Sequence, residues 1–300
     1  MSEQFAQVGE VELCYETFGD PGARPLLLVM GLGTQMIGWR DEFCGQLAER
    51  DFHVIRFDNR DVGRSTRFNG FPPPGLLELI TQRPKRLAYT LRDMAGDAAG
   101  LLDHLGIDSA HVVGASMGGM ISQILTLEQP ERVRSLVSIM STTGSRWVGR
   151  PAAAVYPFFA KPLPKGKEAY IERGLKLWEV IGSPGFERDE EELRAMLSRS
   201  YDRGLSPGGT MRQLGAIAAT PNRTRDLARI EVPTLIVHGT KDALIGVSGG
   251  KATARAIPGC ELMLIDGMGH DMPREVWPRL IDGIERNAAR AAEPARAAAA

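Results

Sequence analysis

Three serines stand between glycines at G-x-S-x-G spacing: Ser116 in Gly114-Ala115-Ser116-Met117-Gly118, Ser206 in Gly204-Leu205-Ser206-Pro207-Gly208, and Ser248 in Gly246-Val247-Ser248-Gly249-Gly250. A serine in this pattern suits nucleophilic attack when a strained turn between a buried strand and a helix lifts its hydroxyl above a sheet. The glycines give the crowded backbone room. Three matches in one chain cannot be separated by the pattern itself, so their surroundings must decide. Only Ser116 follows a buried-strand run, 111–115, and leads into a segment of helical period, 119–129. That helix start would aim backbone N–H groups and a positive dipole end at the site. Ser206 precedes Pro207, the order of an N-cap and a first helical residue. Ser248 lies in a Gly-rich loop and is expected to cap a helix beginning near Lys251.

A serine hydroxyl needs a positioned base, and the base needs a third group to hold its tautomer. Of five histidines, only His238 and His270 follow Ser116. His270 lies just beyond a strand run that ends near Gly267, at the kind of loop that carries chemistry in open α/β sheets. His238 ends a strand and reads as a packing residue or a loop hydrogen bond. His53, His104 and His111 fall at a strand start, a helix and a strand start, and suit structural positions. The acid is expected after the strand that precedes the histidine strand, where Asp242 stands. Asp266 and Asp271 compete by proximity, but Asp271 adjoins His270, and neighbours on an extended segment point apart. A tetrahedral oxyanion would need two N–H donors. Met117, after the serine, supplies one, and Leu32, in Met30-Gly31-Leu32-Gly33, supplies the other, with Gly33 as the alternative.

These groups demand a particular frame. Apolar runs at 25–31, 53–58, 111–116, 133–141, 233–239 and 260–267 read as buried strands, and the alternating run 11–19 as an exposed one. Between them, Leu91, Met94, Ala98, Leu101, Leu102 and Leu105 form one helical stripe, closed by Gly106. Strand and helix in alternation predict an α/β, doubly wound, mostly parallel sheet. The alternation stops between 142 and 225, where helical patterns at 168–181, 189–202 and 209–219 occur with Trp147, Tyr156, Phe158, Phe159, Trp178 and Tyr201. That stretch is expected to be a helical cap over the carboxyl edge of a core made of 1–141 and 226–286. Residues 287–300 are an Ala-rich tail that either extends the last helix or is disordered, and 68–76 a Pro-rich surface loop. Met30, Met36, Met117, Met120, Met140, Met268 and Met272 fall around the site loops and read equally as adaptable pocket lining or core filling.

A net charge of −1 and the lack of a basic stripe speak against a nucleic-acid partner. No apolar run reaches membrane-spanning length, and residues 1–13 lack the basic-then-apolar order of a secretory signal, so a cytoplasmic protein is the default expectation. Cys14, Cys44 and Cys260 form neither a disulfide framework nor a metal-ligand set. Cys14 and Cys260 sit in strand-like runs and read as buried thiols; Cys44 could be a reactive one, but activated cysteines are rare and an inert thiol is the favoured reading.

With these segments in place, the sequence resembles the α/β-hydrolase superfamily from about residue 8 to 285. Met30-Gly31-Leu32-Gly33 stands at the family's His-Gly oxyanion position, with Met30 for His. Asp58-Asn59-Arg60-Asp61-Val62-Gly63-Arg64-Ser65 resembles its D-x-R-G-x-G-x-S loop, with Asp61 where Gly is usual, which puts the local turn in question. Gly114–Gly119, His238–Asp242 and Gly269-His270 complete the set. The segments around Met30 and Asn59 look closest to a bacterial group that includes aclacinomycin methylesterase-like proteins and small-ester carboxylesterases. The resemblance implies an α/β-hydrolase fold with a helical cap inserted after the sixth strand. It also implies hydrolysis of small carboxylic esters through an acyl-enzyme, with no cofactor. Methylesterase, thioesterase or acyltransferase action on a bulkier natural product is the alternative, followed by a catalytically silent ligand-binding fold. A serine in the elbow disfavours haloalkane dehalogenases and epoxide hydrolases, whose elbows carry Asp.

Overall fold

The computed structural model describes residues 2–81, 84–160 and 163–291. Its strands are β1 (Gln4–Val8), β2 (Val11–Phe18), β3 (Arg24–Val29), β4 (Phe52–Phe57), β5 (Ala110–Ala115), β6 (Val133–Ile139), β7 (Thr234–Gly239) and β8 (Glu261–Ile265). Its helices are α1 (Asp41–Ala48), α2 (Leu76–Thr81), α3 (Leu91–His104), α4 (Met117–Glu128), α5 (Tyr156–Ala160), α6 (Lys167–Ile181), α7 (Glu190–Asp202), α8 (Pro207–Ala219), α9 (Ser248–Ala256) and α10 (Trp277–Arg290). One eight-stranded sheet runs in the order β1-β2-β4-β3-β5-β6-β7-β8. β1 and β2 pair antiparallel, and β2 with β4, while every pairing from β4 through β8 is parallel. The carboxyl ends of β3 to β8 therefore share one edge.

Continuous apolar strands follow from helices on both faces. In β3, Leu27 and Val29 pack with Leu101 of α3 and Ile121 and Ile124 of α4. Leu26 and Leu28 pack on the other face with Phe43 of α1 and Leu280 and Ile284 of α10. Each such leucine contributes about 2 kcal/mol by leaving water. Thr90 opens α3 with a capping box completed by Asp93, and Gly106 follows its end at φ +68°. Of the methionines named above, Met30, Met117, Met120, Met140 and Met268 are buried in these clusters, Met36 is buried with Cys14 and Ile37 in a small separate one, and Met272 packs half-buried at the edge of the second.

Strand β1 has no counterpart in the sequence patterns. Only Ala6 of its five residues is buried, so no apolar face announces it. It exists by pairing Gln4–Val8 with Val11–Tyr15 across the Gly9-Glu10 turn. With β1 counted, six strands precede the helical segment α5–α8, and β7 follows it. Within that segment Ile171 and Leu175 of α6 pack on Leu193 and Leu197 of α7.

Several local expectations change. Ser206 occupies the N-cap position of α8, but its side chain makes no capping bond. Ser248 is the first residue of α9, not its cap, and its hydroxyl accepts the Gly149 N–H. Cys260 falls just before β8 and is half-buried. Cys44, in line with the favoured inert reading, is buried, and that burial pushes its thiol up to about 12, which is unsuited to reactivity. Burial does the same to Cys14. The Pro-rich loop 68–76 is not all surface, since Pro74 is buried beside Gly215 of α8. The first part of the tail does extend the last helix, as one of its two readings has it: α10 runs to Arg290, Asn287 is buried, and its amide donates to Leu136 O and Pro233 O. Residues 292–300 of the Ala-rich stretch lie outside the described residues. Among the described residues, no helix is long and apolar enough to cross a membrane.

Candidate active site

Ser116 sits between β5 and α4 at φ 57° and ψ −119°, a conformation that L-residues rarely adopt. Its N–H donates to Ile139 O at 2.9 Å, and its carbonyl accepts Ser141 Oγ at 2.8 Å and Gly119 N at 3.0 Å. Two glycines make this crowding possible. A Cβ on Gly114 would lie 2.3 Å from Gly118 O, and one on Gly118 would lie 2.0 Å from Val29 O. Elbow, β3 and the start of α4 are thus packed backbone against backbone.

His270 reaches the serine from the loop after β8. Its Nε2 lies 3.0 Å from Ser116 Oγ, across 154 residues of sequence, and its Nδ1 lies 2.8 Å from Asp242 Oδ2. The carboxylate accepts a hydrogen bond from the Nδ1–H tautomer, which leaves Nε2 free to accept from the hydroxyl. The end of α6 anchors the loop: His270 N donates to Ile181 O at 2.7 Å, and Gly269 N to Ser183 Oγ at 2.8 Å. The competing acids are engaged elsewhere. Asp271 accepts the Ser183 hydroxyl, and Asp266 accepts Thr240 Oγ1 at 2.7 Å.

Asp242 has no exposed side-chain surface. Burial by itself would raise its carboxyl, but charge on His270, hydrogen bonds from His238 and His270, and the Ile245 N–H outweigh it and hold the group down at about 2. Oδ1 accepts Leu244 N at 2.9 Å and Ile245 N at 2.8 Å. His238 is fully buried alongside. Its Nε2 stands 2.7 Å from Ile245 O and 3.4 Å from Asp242 Oδ2, so a proton there serves mainly the carbonyl and secondarily the carboxylate. The loop-bond reading of His238 holds, while its proximity to Asp242 was not legible in the sequence.

The two expected oxyanion amides are available. Among the described residues neither Leu32 N–H nor Met117 N–H has a protein acceptor. Gly33, the alternative to Leu32, is already committed: its N–H donates to Gln213 Oε1 of α8 at 2.8 Å. Gly31 lies against the serine, where a Cβ would come 3.1 Å from Ser116 Cβ. Asn59 Nδ2 holds Met30 O at 2.9 Å.

The loop after β4 connects this site to the helical segment. Asp61 does adopt a left-handed φ of 69°, where glycine is at home, and its buried carboxylate compensates. It accepts Arg212 Nε at 2.8 Å and Nη2 at 2.7 Å, the Tyr89 hydroxyl at 2.7 Å and Phe68 N at 2.9 Å. Asp58 likewise accepts Arg203 Nη2 at 2.8 Å and Met36 N at 2.7 Å. No sequence signal links Arg203, Arg212 or Gln213 to these partners.

A family model for the α/β hydrolase fold matches residues 24–273, across this sheet and this serine elbow. The chain belongs to the α/β-hydrolase family. This hydrolase is 30% identical over 300 residues to the rhodomycin D methylesterase of Streptomyces sp. strain C5, covering 92% of this chain and 94% of that one. It is 28% identical over 242 residues to 3-oxoadipate enol-lactonase 2 of Acinetobacter baylyi, covering 81% and 80% of the two chains. Among solved structures, a hydrolase from Pseudomonas aeruginosa aligns at a TM-score of 0.72 with 26% identity, over 95% of this chain and 97% of that one.

Proposed function

We propose that this hydrolase cleaves carboxylic esters of small molecules through an acyl-enzyme, with Ser116 as nucleophile, His270 as general base and Asp242 as the acid that orients it. The observation that carries this reading is the unbroken relay from Asp242 Oδ2 to His270 Nδ1 at 2.8 Å and from His270 Nε2 to Ser116 Oγ at 3.0 Å. As Oγ bonds to the ester carbon, its proton passes to Nε2. The carbonyl oxygen takes the electron pair and is received by the Leu32 and Met117 N–H groups. Collapse of this intermediate breaks the carbon–alkoxide bond, and His270 returns the proton to the departing alcohol. Water then attacks the acyl-enzyme with His270 again as base, which frees the acid and restores Ser116. Every proton and electron pair is balanced by ester and water alone. In this reading segment 142–225 caps the carboxyl edge of the sheet above Ser116.

A methyl ester on a bulkier natural product is the second reading, favoured by the likeness to a rhodomycin D methylesterase over nearly the whole chain. Turnover of p-nitrophenyl acyl esters tests the chemistry. Ser116→Ala is expected to lower kcat by roughly four to six orders of magnitude and to abolish labelling by a fluorophosphonate. Loss of activity in Ser206→Ala or Ser248→Ala, with Ser116→Ala active, would assign the nucleophile elsewhere. Wild-type protein inert across acyl lengths and unlabelled would leave a ligand-binding fold.

A further inference from the structure

Helix α8 does more than lie over the sheet. Gln213 is fully buried, and both ends of its amide are used. Oε1 accepts the Gly33 N–H at 2.8 Å, and Nε2 donates to Arg60 O at 2.8 Å. One side chain therefore ties the loop after β3 to the loop after β4. Three neighbours on the same helix dock it there. A Cβ on Gly209 would lie 2.2 Å from Asp61 O, a Cβ on Gly33 would lie 2.7 Å from Thr210 Oγ1, and Arg212 makes its buried pair with Asp61. The contacts leave no slack for α8 to slide without moving Gly33.

The consequence falls on the choice of oxyanion donor. Gly33 sits at φ +62°, and Leu32 and Gly33 present successive amides on a short turn beside Ser116. If both were unbonded, the turn could rotate either amide toward a developing oxyanion, or neither. Gln213 removes that freedom by consuming the Gly33 N–H, and only the Leu32 amide is left. An oxyanion hole acts through donors fixed before the reaction, so loss of this restraint reduces transition-state stabilisation more than ground-state binding.

We propose that Gln213 is a positioning residue for the oxyanion hole, holding the Leu32–Gly33 turn so that the helical segment forms part of the catalytic apparatus. This inference rests on the ester-hydrolase reading given above. It is tested with p-nitrophenyl acetate turnover by Gln213→Met and Gln213→Glu, with the melting temperature of each measured and kinetics read well below it. Gln213→Met keeps the volume and removes both bonds. It is expected to lower kcat about tenfold to a hundredfold while KM stays within about threefold. Gln213→Glu, protonated in this buried site, can still accept from Gly33 and donate to Arg60, so it should recover most of the lost kcat. If Gln213→Met does not fold, Gln213→Asn serves instead, since its shorter amide cannot span both partners and should show the same kcat loss. A fall in melting temperature with kcat unchanged would make Gln213 a strut only and overturn the proposal. A rise in KM with kcat intact would assign it to substrate binding and overturn it equally. Failure of the parent reading looks different: Ser116→Ala would then retain wild-type turnover, whatever Gln213 does.

Discussion

A carboxylate buried at the end of β7 stays ionised only if its surroundings supply what water no longer does. Asp242 obtains two backbone N–H groups and the imidazole of His270, with His238 close by. Its folded value of about 2 lies below the ordinary aspartate value of 3.8, so the sign is that of a group that stabilises the fold when ionised. That contribution, about 2 kcal/mol, is complete above about pH 4 and is lost as pH falls through about 2. Guanidinium unfolding of wild type and Asp242→Asn between pH 7 and pH 2 should show it. The stability gap between the two should be constant above about pH 4 and should narrow below it. A gap that does not change with pH would mean that the carboxylate is not held as described. The residues of this site were legible because their positions follow from local rules: a serine at a strand-to-helix corner, an acid after one strand, a histidine after the next. His238 was half legible. Its strand-end position was visible, but its approach to Asp242 depends on how the loop 240–245 folds back.

At the scale of elements, the loop from Asp58 to Ser65 is a hub of buried ion pairs. Asp58 pairs with Arg203 after α7, Arg60 with Asp97 of α3, and Asp61 with Arg212 of α8. Asp61 is the instructive case, since a family pattern with Gly there casts doubt on the turn. The turn forms, and the carboxylate that replaces glycine's freedom fastens α8 to the core. Asp61→Gly therefore sets two effects against each other. It relieves a left-handed strain of about 1–2 kcal/mol but leaves the Arg212 guanidinium buried without its carboxylate, a loss of about 3–5 kcal/mol. The second effect wins, and urea unfolding should show the variant destabilised by about 1–4 kcal/mol. A variant as stable as wild type would show that the pair contributes nothing net.

At the scale of the molecule, segment 142–225 is joined to the rest by buried polar links as well as by apolar packing of Ala216, Ile217 and Phe186. Arg203 binds Asp58, Glu3 and Gln35; Gln35 binds Ser200 O and Gly204 O; Gln213 bridges Gly33 and Arg60; the end of α6 holds the His270 loop. Such links break together, because each is unsatisfied once its neighbour has moved. Calorimetry of the intact chain should therefore give one unfolding transition, with calorimetric and van't Hoff enthalpies in agreement. A first transition that melts the helical segment while the sheet persists would refute this coupling.

The amino-acid order by itself determined the alternation of strand and helix, the helical excursion and the serine, histidine and aspartate positions. Each depends on periodicity or turn chemistry within some ten residues, where sterics and burial act locally. Tertiary structure alone decided the rest. Strand β1 turns only Ala6 and Val8 toward the core, too little to be read as a strand, and β2 supplies the hydrogen bonds that complete it. The free Leu32 amide is defined by a glutamine 180 residues beyond the neighbouring glycine. Asp58 and Asp61 acquire their arginines across 145 and 151 residues. Such pairings leave no periodic trace, because nothing in the spacing of two distant charged residues says that folding will bury them together.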